Sequence, residues 1–248
     1  MAGVMIVTGG SRGIGAATAR LAADRGYAVC INYRAKRDAA ERIVGDIAAS
    51  GGSAIAVGAD VASEVDVERL FATVDTQLGR VTALVNNAGI LERQARVEQI
   101  DAARIDRVFA TNVRGAFLCA REAVRRMSTA RGGGGGGIVN VSSRAAQLGA
   151  PGEYVDYAAS KAALDALTIG LGREVAAEGI RVNAVRAGII YTDIHADGGE
   201  PGRVDRLAPT LPMQRGGDAI EVARAILWLL SDEASYSTGS FVDVAGGR

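Results

Sequence analysis

Seven short apolar runs rich in β-branched residues recur along the 248-residue chain: GVMIVTG at 3 to 9, YAVCINY at 27 to 33, SAIAVGA at 53 to 59, ALVNNAG at 83 to 89, GIVNVSS at 137 to 143, IRVNAVR at 180 to 186 and SFVDVAG at 240 to 246. They alternate little between polar and apolar residues, as strands do when both faces of their sheet are covered. Between them the apolar spacing is helical, as in Val67, Leu70, Phe71, Val74 and Leu78, or Leu164, Leu167, Leu171 and Val175,. Such alternation predicts a doubly wound α/β domain over residues 1–248, a parallel sheet of about seven strands with helices on both faces. A chain of this length buries about 70–75% of its unfolded surface, so a substantial core is available.

Two segments interrupt the rhythm. RGGGGGG at 131 to 137 has few side chains to pack and is expected to be a flexible connector into the fifth strand,. The polar stretch from Ala187 to Gly217 is too long for an ordinary connection and lies beyond the carboxyl end of the sixth strand, where a substrate lid at about 187–217 is expected,. Basic and acidic residues balance at 28 each, so no net field draws the chain to nucleic acid or an anionic membrane, and any anionic ligand must be held locally,. Cys30 and Cys119 lack CxxC spacing, which predicts two buried thiols in a reducing compartment and no metal site,. MAGVMIVTGG has no secretory pattern and AILWLL is too short to cross a bilayer, so a soluble, cytoplasmic protein with no membrane partner is expected,.

TGGSRGIG at 8 to 15 joins the first strand to a helix through Gly9, Gly13 and Gly15. Glycines there permit a tight turn and let a pyrophosphate approach the N–H groups of the helix start, where the dipole favours negative charge. That is a Rossmann-type dinucleotide loop, and Ser11, Arg12 and Ile14 join its candidate cofactor contacts. Gly9, Ser11 and Gly13 also spell G-x-S-x-G, the hydrolase nucleophile elbow. Against that, the only histidine, His195, sits in the expected lid, where a solvated loop residue is the plainer reading, and no earlier strand supplies an oxyanion loop,. The second strand ends in INYRAKR, so Asn32, Tyr33 and Arg34 stand where an NAD site places an acid for the ribose hydroxyls,. Arg34 and Arg12 can instead present forked donors to a 2′-phosphate, which favours NADP over NAD; Arg34 and Arg37 as a solvated turn is the alternative.

YVDYAASK at 154 to 161 holds two tyrosines and one lysine. Lys161 follows Tyr157 by four residues and shares its helix face, whereas the residue four after Tyr154 is Ala158,. Tyr157 is therefore the candidate acid or base. A phenol has an unperturbed pKa near 10, and moving it towards 7 needs about 4 kcal/mol of preference for the phenolate, part of which an ammonium can supply. Only Lys36 and Lys161 are lysine among the 28 basic residues, so a lysine at this spacing stands out from the arginine background,.

These motifs are similar, over essentially the whole chain, to those of the short-chain dehydrogenase/reductase family. TGGSRGIG resembles its cofactor loop, NNAG at 86 to 89 its central-strand motif, TNVRG its helix asparagine, and YAASK at 157 to 161 its catalytic motif. The resemblance implies that Tyr157 exchanges the hydroxyl proton, that Lys161 lowers its pKa and binds the nicotinamide ribose, and that Asn112 supports a water-linked proton relay. It implies that Ser143 orients the substrate carbonyl, with Ser142 facing the packed side. Asp60 and Val61 match positions bordering adenine, and Asn86 and Thr192 positions at the ribose and carboxamide. Ala88, Gly89, Gly188 and Ile190 complete the implied cofactor set. Two departures stand out: Ser143 and Tyr157 lie one residue further apart than is usual, and Ala187 replaces a common proline, which is expected to loosen the lid,. The implied activity is NADP(H)-dependent hydride transfer to or from a carbonyl or secondary alcohol. A 3-oxoacyl thioester, free or carrier-bound, is the leading substrate class, a sugar or polyol the alternative, and a non-catalytic NADP-binding sensor the reading from another class. Arg203, Arg206 and Arg215 are either attractors of an acidic carrier or solvated loop charges. The family also suggests a homotetramer through helices near 101–127 and 156–177 and the region of Trp228 and Phe241, with simple burial of Trp228, Leu229 and Leu230 as the competing account.

Overall fold

The computed structural model describes residues 3–248. All seven apolar runs form strands: β1 (Val4–Val7), β2 (Ala28–Tyr33), β3 (Ala54–Gly58), β4 (Val81–Asn86), β5 (Gly136–Ser143), β6 (Ile180–Ala187) and β7 (Phe241–Val244). They make one parallel sheet in the order β3-β2-β1-β4-β5-β6-β7. The helices are α1 (Gly13–Asp24), α2 (Arg37–Ala49), α3 (Glu64–Gln77), α4 (Ala102–Phe109), α5 (Gly115–Met127), α6 (Ala145–Leu148), α7 (Val155–Glu174), α8 (Ile194–Asp197), α9 (Arg203–Leu207) and α10 (Ala219–Leu230).

Alternation along β1 explains why the strands read as unbroken apolar runs. Met5 and Val7 pack with α1, α2 and α10 on one face, while Val4 and Ile6 pack with α3 and α5 on the other,. Leu70 and Phe71 of α3 are fully buried, each contributing about 1.5–3 kcal/mol by leaving water. Helix starts are marked locally: the Ser63 hydroxyl accepts the Asp66 N–H at α3, and Asp218 with Glu221 forms a capping box at α10,. The start of α1 has neither device. Its N-cap, Arg12, makes no side-chain cap and its first turn carries no acid. Strand order reverses between β1 and β4, and that switch point opens a crevice at the strands' carboxyl ends,.

Three expectations change. The glycine run is pinned at several positions and not slack throughout, although Gly132 and Gly134 face open space. A Cβ at Gly133 would sit 2.2 Å from the Met127 carbonyl oxygen, at Gly135 2.6 Å from that of Gly179, and at Gly136 2.4 Å from that of Thr82. The Gly133 and Gly135 N–H groups donate to the Ser128 and Met127 carbonyls, both at 2.8 Å. Second, Ala187 is no loose hinge: it ends β6, pairs with Ser143 and Val244, and its carbonyl accepts the Arg144 N–H at 3.0 Å. The long excursion begins after it and is tied at its base by the Ile190 and Gly217 bridge. Third, the competing account of simple burial holds for Leu229 and Leu230 but not for Trp228, which is 39% exposed on α10.

Candidate active site

A cavity of about 390 Å³ occupies the crevice. The glycine loop forms one wall, with Gly9, Ser11, Arg12, Gly13 and Ile14 lining it. Gly9 and Gly13 have φ of +59° and +53°, a region that favours glycine,. Gly15 does not line the cavity. A Cβ there would stand 2.6 Å from both the Gly9 carbonyl oxygen and Asn87 Nδ2, so this glycine lets the loop close on the helix. Asn32 is buried, accepts the Gly9 N–H at 3.3 Å and donates to the Ala59 carbonyl at 3.0 Å, fixing the loop to the ends of β2 and β3. Tyr33, Arg34, Asp60 and Val61 line the same end, joined by Lys36, which the sequence reading left out. Arg34 and Lys36 are exposed and, among the described residues, form no ion pair.

Ala88 and Gly89 line the cavity, but Asn86 does not. As the last residue of β4 it points sideways: its Nδ2 donates to Asn140 Oδ1 at 3.0 Å, its register partner on β5. The neighbouring Asn87 lines the cavity and donates to the Thr8 and Gly9 carbonyls at 2.9 and 3.0 Å. Asn86 thus does not reach the cavity where a ribose contact is expected, and Asn87 does, because successive residues at a strand end face different ways,. Gly188, Ile190 and Thr192 line the far wall, and the Thr192 methyl lies 3.1 Å from where a Gly13 Cβ would be.

Tyr157 and Lys161 project from α7 into this cavity beside Ser143 at the end of β5. Burial pushes the Tyr157 phenol up to about 12, against a lowering hydrogen bond from Ser143,. Burial likewise pushes the Lys161 ammonium down to about 8, with Asp165 opposing. Lys161 Nζ donates to the Val141 carbonyl at 2.7 Å and lies 5.5 Å from the centre of the Tyr157 ring. The phenol is thus a weaker acid than in water. Burial sets the direction of that shift, and the Lys161 ammonium is turned to the Val141 carbonyl,. Ser142 is buried and bonds to Asp165 at 2.6 Å, on the packed side as expected, although it still borders the cavity.

Asn112 does not line the cavity but stands just behind it. It sits in a π-turn (Ala110–Arg114) between α4 and α5, accepts the Ile90 N–H at 2.8 Å and donates to Ser160 Oγ at 3.0 Å. A Cβ at Gly89 would be 3.5 Å from both Asn112 Oδ1 and Lys161 Nζ, so that glycine separates the two. π-turns of this kind recur at functional sites.

The segment after β6 supplies the remaining wall through ion pairs. Arg203 is buried, contacts Glu153 at 2.5 and 3.0 Å and Glu200 at 3.0 Å, and lies 5.1 Å over the Tyr154 ring. Arg206 first, then Arg203, hold the Glu200 carboxyl down to about 2. Arg12 pairs with Asp197 of α8, joining this wall to the glycine loop. His195 corrects another expectation: it is 8% exposed, with Nε2 3.0 Å from the Ile190 carbonyl, because α8 turns it inward. Arg215 pairs with Glu221 and is not in the cavity wall. Both cysteines are free and buried, and burial pushes both thiols up.

A family model described as enoyl-(acyl carrier protein) reductase matches residues 9–248. The chain belongs to the short-chain dehydrogenase/reductase family. It is 59% identical over 245 residues to the uncharacterized oxidoreductase YgfF of Escherichia coli strain K12, with 99% of each chain covered. It is 36% identical over 242 residues to the 3-oxoacyl-[acyl-carrier-protein] reductase FabG of Staphylococcus epidermidis, covering 98% of this chain and 97% of that one. Among solved structures, a short-chain dehydrogenase/reductase of Serratia marcescens, studied as a mutant, superposes with a TM-score of 0.90 at 33% identity over 99% of this chain and 97% of that one. A blue fluorescent protein from a metagenomic library, in complex with NADPH, superposes with a TM-score of 0.89 at 34% identity, covering 98% and 96%.

This short-chain dehydrogenase/reductase is an oxidoreductase of a family that uses a nicotinamide cofactor, and its residues fit one. The uncapped, acid-free start of α1 faces the cavity with N–H groups available to a pyrophosphate, and the glycines beside it leave no side chain in the way,.

Proposed function

We propose that the protein is an NADP(H)-dependent reductase of a ketone, or dehydrogenase of the corresponding secondary alcohol. The observation that carries this reading is the convergence of Ser143, Tyr157 and Lys161 in the same cavity as the open start of α1, with Asn112 directly behind. The cofactor supplies the hydride. Gly9, Ser11, Gly13 and the first turn of α1 hold its pyrophosphate, and Lys161 holds the nicotinamide ribose. Arg34 and Lys36, without ion pairs among the described residues, take the 2′-phosphate, with Arg12 available once it leaves Asp197,.

The chain's own chemistry is proton transfer. Ser143 donates a hydrogen bond to the substrate oxygen and fixes the carbonyl against Tyr157. With a pKa near 12, Tyr157 stays protonated at neutral pH and is a competent donor to a developing alkoxide, so its resting state suits reduction,. Lys161 and Asn112 position the proton path. The lid is the segment from Tyr191 to Gly217, closing over the substrate. A 3-oxoacyl thioester is the first substrate class to try, given the likeness to FabG; the sugar and polyol alternative is kept for the same machinery.

Exposed apolar residues on the long helices, Ile105, Phe117 and Ile169, together with Trp228, support association into a homotetramer,. Among the described residues no helix is long and apolar enough to cross a membrane. Buried reduced thiols suit a cytoplasmic setting,.

The test is oxidation of NADPH and of NADH with acetoacetyl thioester as a function of pH. We expect kcat/KM at least about tenfold higher with NADPH, reflecting charge-assisted bonds to the extra phosphate. For the free enzyme kcat/KM for NADPH should fall above about pH 8 as Lys161 loses its charge,. Equal use of NADH, or no ketone reduction despite cofactor binding, would count against the assignment.

A further inference from the structure

The substrate end of the cavity contains polar groups that proton transfer leaves unused. Arg248 lines the cavity, and its main-chain oxygen accepts from Arg144 Nε at 2.7 Å, placing it beside the serine end of β5. Its guanidinium is half-buried and, among the described residues, has no hydrogen-bond or carboxylate partner. Burial first, then the neighbouring Arg203, disfavour its charge, and Glu153 favours it without bonding to it. Two further groups in the same wall are orphaned. The Tyr154 hydroxyl, in a residue only 4% exposed, and His195 Nδ1, in one 8% exposed, are buried without partners.

The surrounding charges do not satisfy Arg248. Glu153 spends both oxygens on Arg203, and Glu200 is shared by Arg203, Arg206 and Gln94. Arg144 is engaged by Gln147 and Asp243. Asp193, the remaining acid of the wall, follows Thr192, which packs against the glycine loop at the cofactor end. Half-burying an unpaired guanidinium is costly, and an anion that enters beside it offsets the cost. An aliphatic acyl chain would leave that charge, the hydroxyl and the imidazole nitrogen unsatisfied.

We propose that the substrate carries a carboxylate a few bonds from the reacting carbonyl, and that Arg248, with the Tyr154 hydroxyl beside it, selects it. This rests on the ketone-reductase reading and favours oxo acids over thioesters within it. Arg248 acts on specificity, and proton transfer remains with Tyr157.

The experiment compares 2-oxo and 3-oxo acids of about four to six carbons, lengths chosen to span a pocket of this order, with their methyl esters. Each is tested for NADPH oxidation and for protection against thermal unfolding in the presence of NADPH, using wild type, Arg248→Gln, Arg248→Lys and Tyr154→Phe. For wild type we expect an acid with KM at least about tenfold below its ester, the scale of one charge-assisted contact. In Arg248→Gln the acid-over-ester preference should collapse through KM, and Arg248→Lys should restore part of it. Tyr154→Phe should weaken acid binding by a smaller factor. Esters reduced as well as acids, or an Arg248→Gln variant that keeps the preference, would overturn the carboxylate subsite and leave the reductase reading standing. If no ketone is reduced but acids still protect wild type and not Arg248→Gln, the reductase reading falls and the subsite stands. Neither reduction nor protection would overturn both.

Discussion

The glycine-loop end of the cavity and the lid end are built by different means. At the first, main chain faces the ligand, through Gly9 and Gly13 in left-handed conformations and the open start of α1, while the side chains of Thr8, Asn32 and Asn87 tie that backbone together from behind. At the second, side-chain ion pairs among Glu153, Glu200, Arg203 and Arg206 hold short helices together after β6. A contact made by main chain reads any ligand with the right phosphates and changes only if the chain's course changes. A contact made by side chains is altered by one substitution. The first arrangement suits a shared cofactor, the second a substrate particular to this protein.

Substitutions can break that contrast or sharpen it. The largest effect on stability is expected at Asp156, where the ion-pair end is not soft. Its carboxylate holds Arg104 at 2.7 and 3.0 Å, with side chains 4% and 10% exposed, and Arg104 also bonds the Arg93 carbonyl. Asp156→Ala leaves a buried cation unpaired, and equilibrium denaturation should show a loss of about 3–5 kcal/mol; a loss under about 1 kcal/mol, the range of surface pairs, would mean that this pair is no anchor. Next comes Gly15→Ala, which forces the loop away from α1 because its new Cβ meets the main chain of Gly9. Denaturation should show a cost of about 1–3 kcal/mol, and NADPH titration a clear loss of affinity. Unchanged NADPH affinity would break the claim that main chain governs this end.

The smallest effect is expected at Asp197→Asn, which cuts the Arg12 ion pair joining the two ends. The pair is exposed, so stability should change by less than about 1 kcal/mol. NADPH affinity should rise slightly as Arg12 is released, while NADH affinity stays level. A fall in NADPH affinity would show that the pair supports the cofactor end and does not compete with it.

How much of this was legible in the sequence follows the same division. The strands, the helices and the glycine loop are written in local spacing, and so is the Tyr157 and Lys161 pair, since four residues on a helix fix a shared face whatever surrounds them. Asn86 and Asn87 were not separable, because which of two adjacent asparagines faces the cavity depends on where β4 ends. The glycine run misled because crowding and slack both call for glycine, and only the partners Met127, Gly179 and Thr82 distinguish them. His195, Tyr154 and Arg248 share one wall through tertiary folding, with no spacing to announce it. The upward shift of the Tyr157 pKa is hidden for the same reason: spacing shows the helix face but not the depth of burial.

The most direct test of the central claim is single-turnover NADPH oxidation by wild type and by Tyr157→Phe, with NADPH binding measured in parallel by fluorescence. Removing the proton donor and nothing else should leave cofactor affinity within about threefold, while the hydride-transfer rate falls by a factor on the order of 10²–10⁴. A variant that still reduces a ketone at near the wild-type rate would contradict the account, because the group placed to supply the proton would not be the one that does.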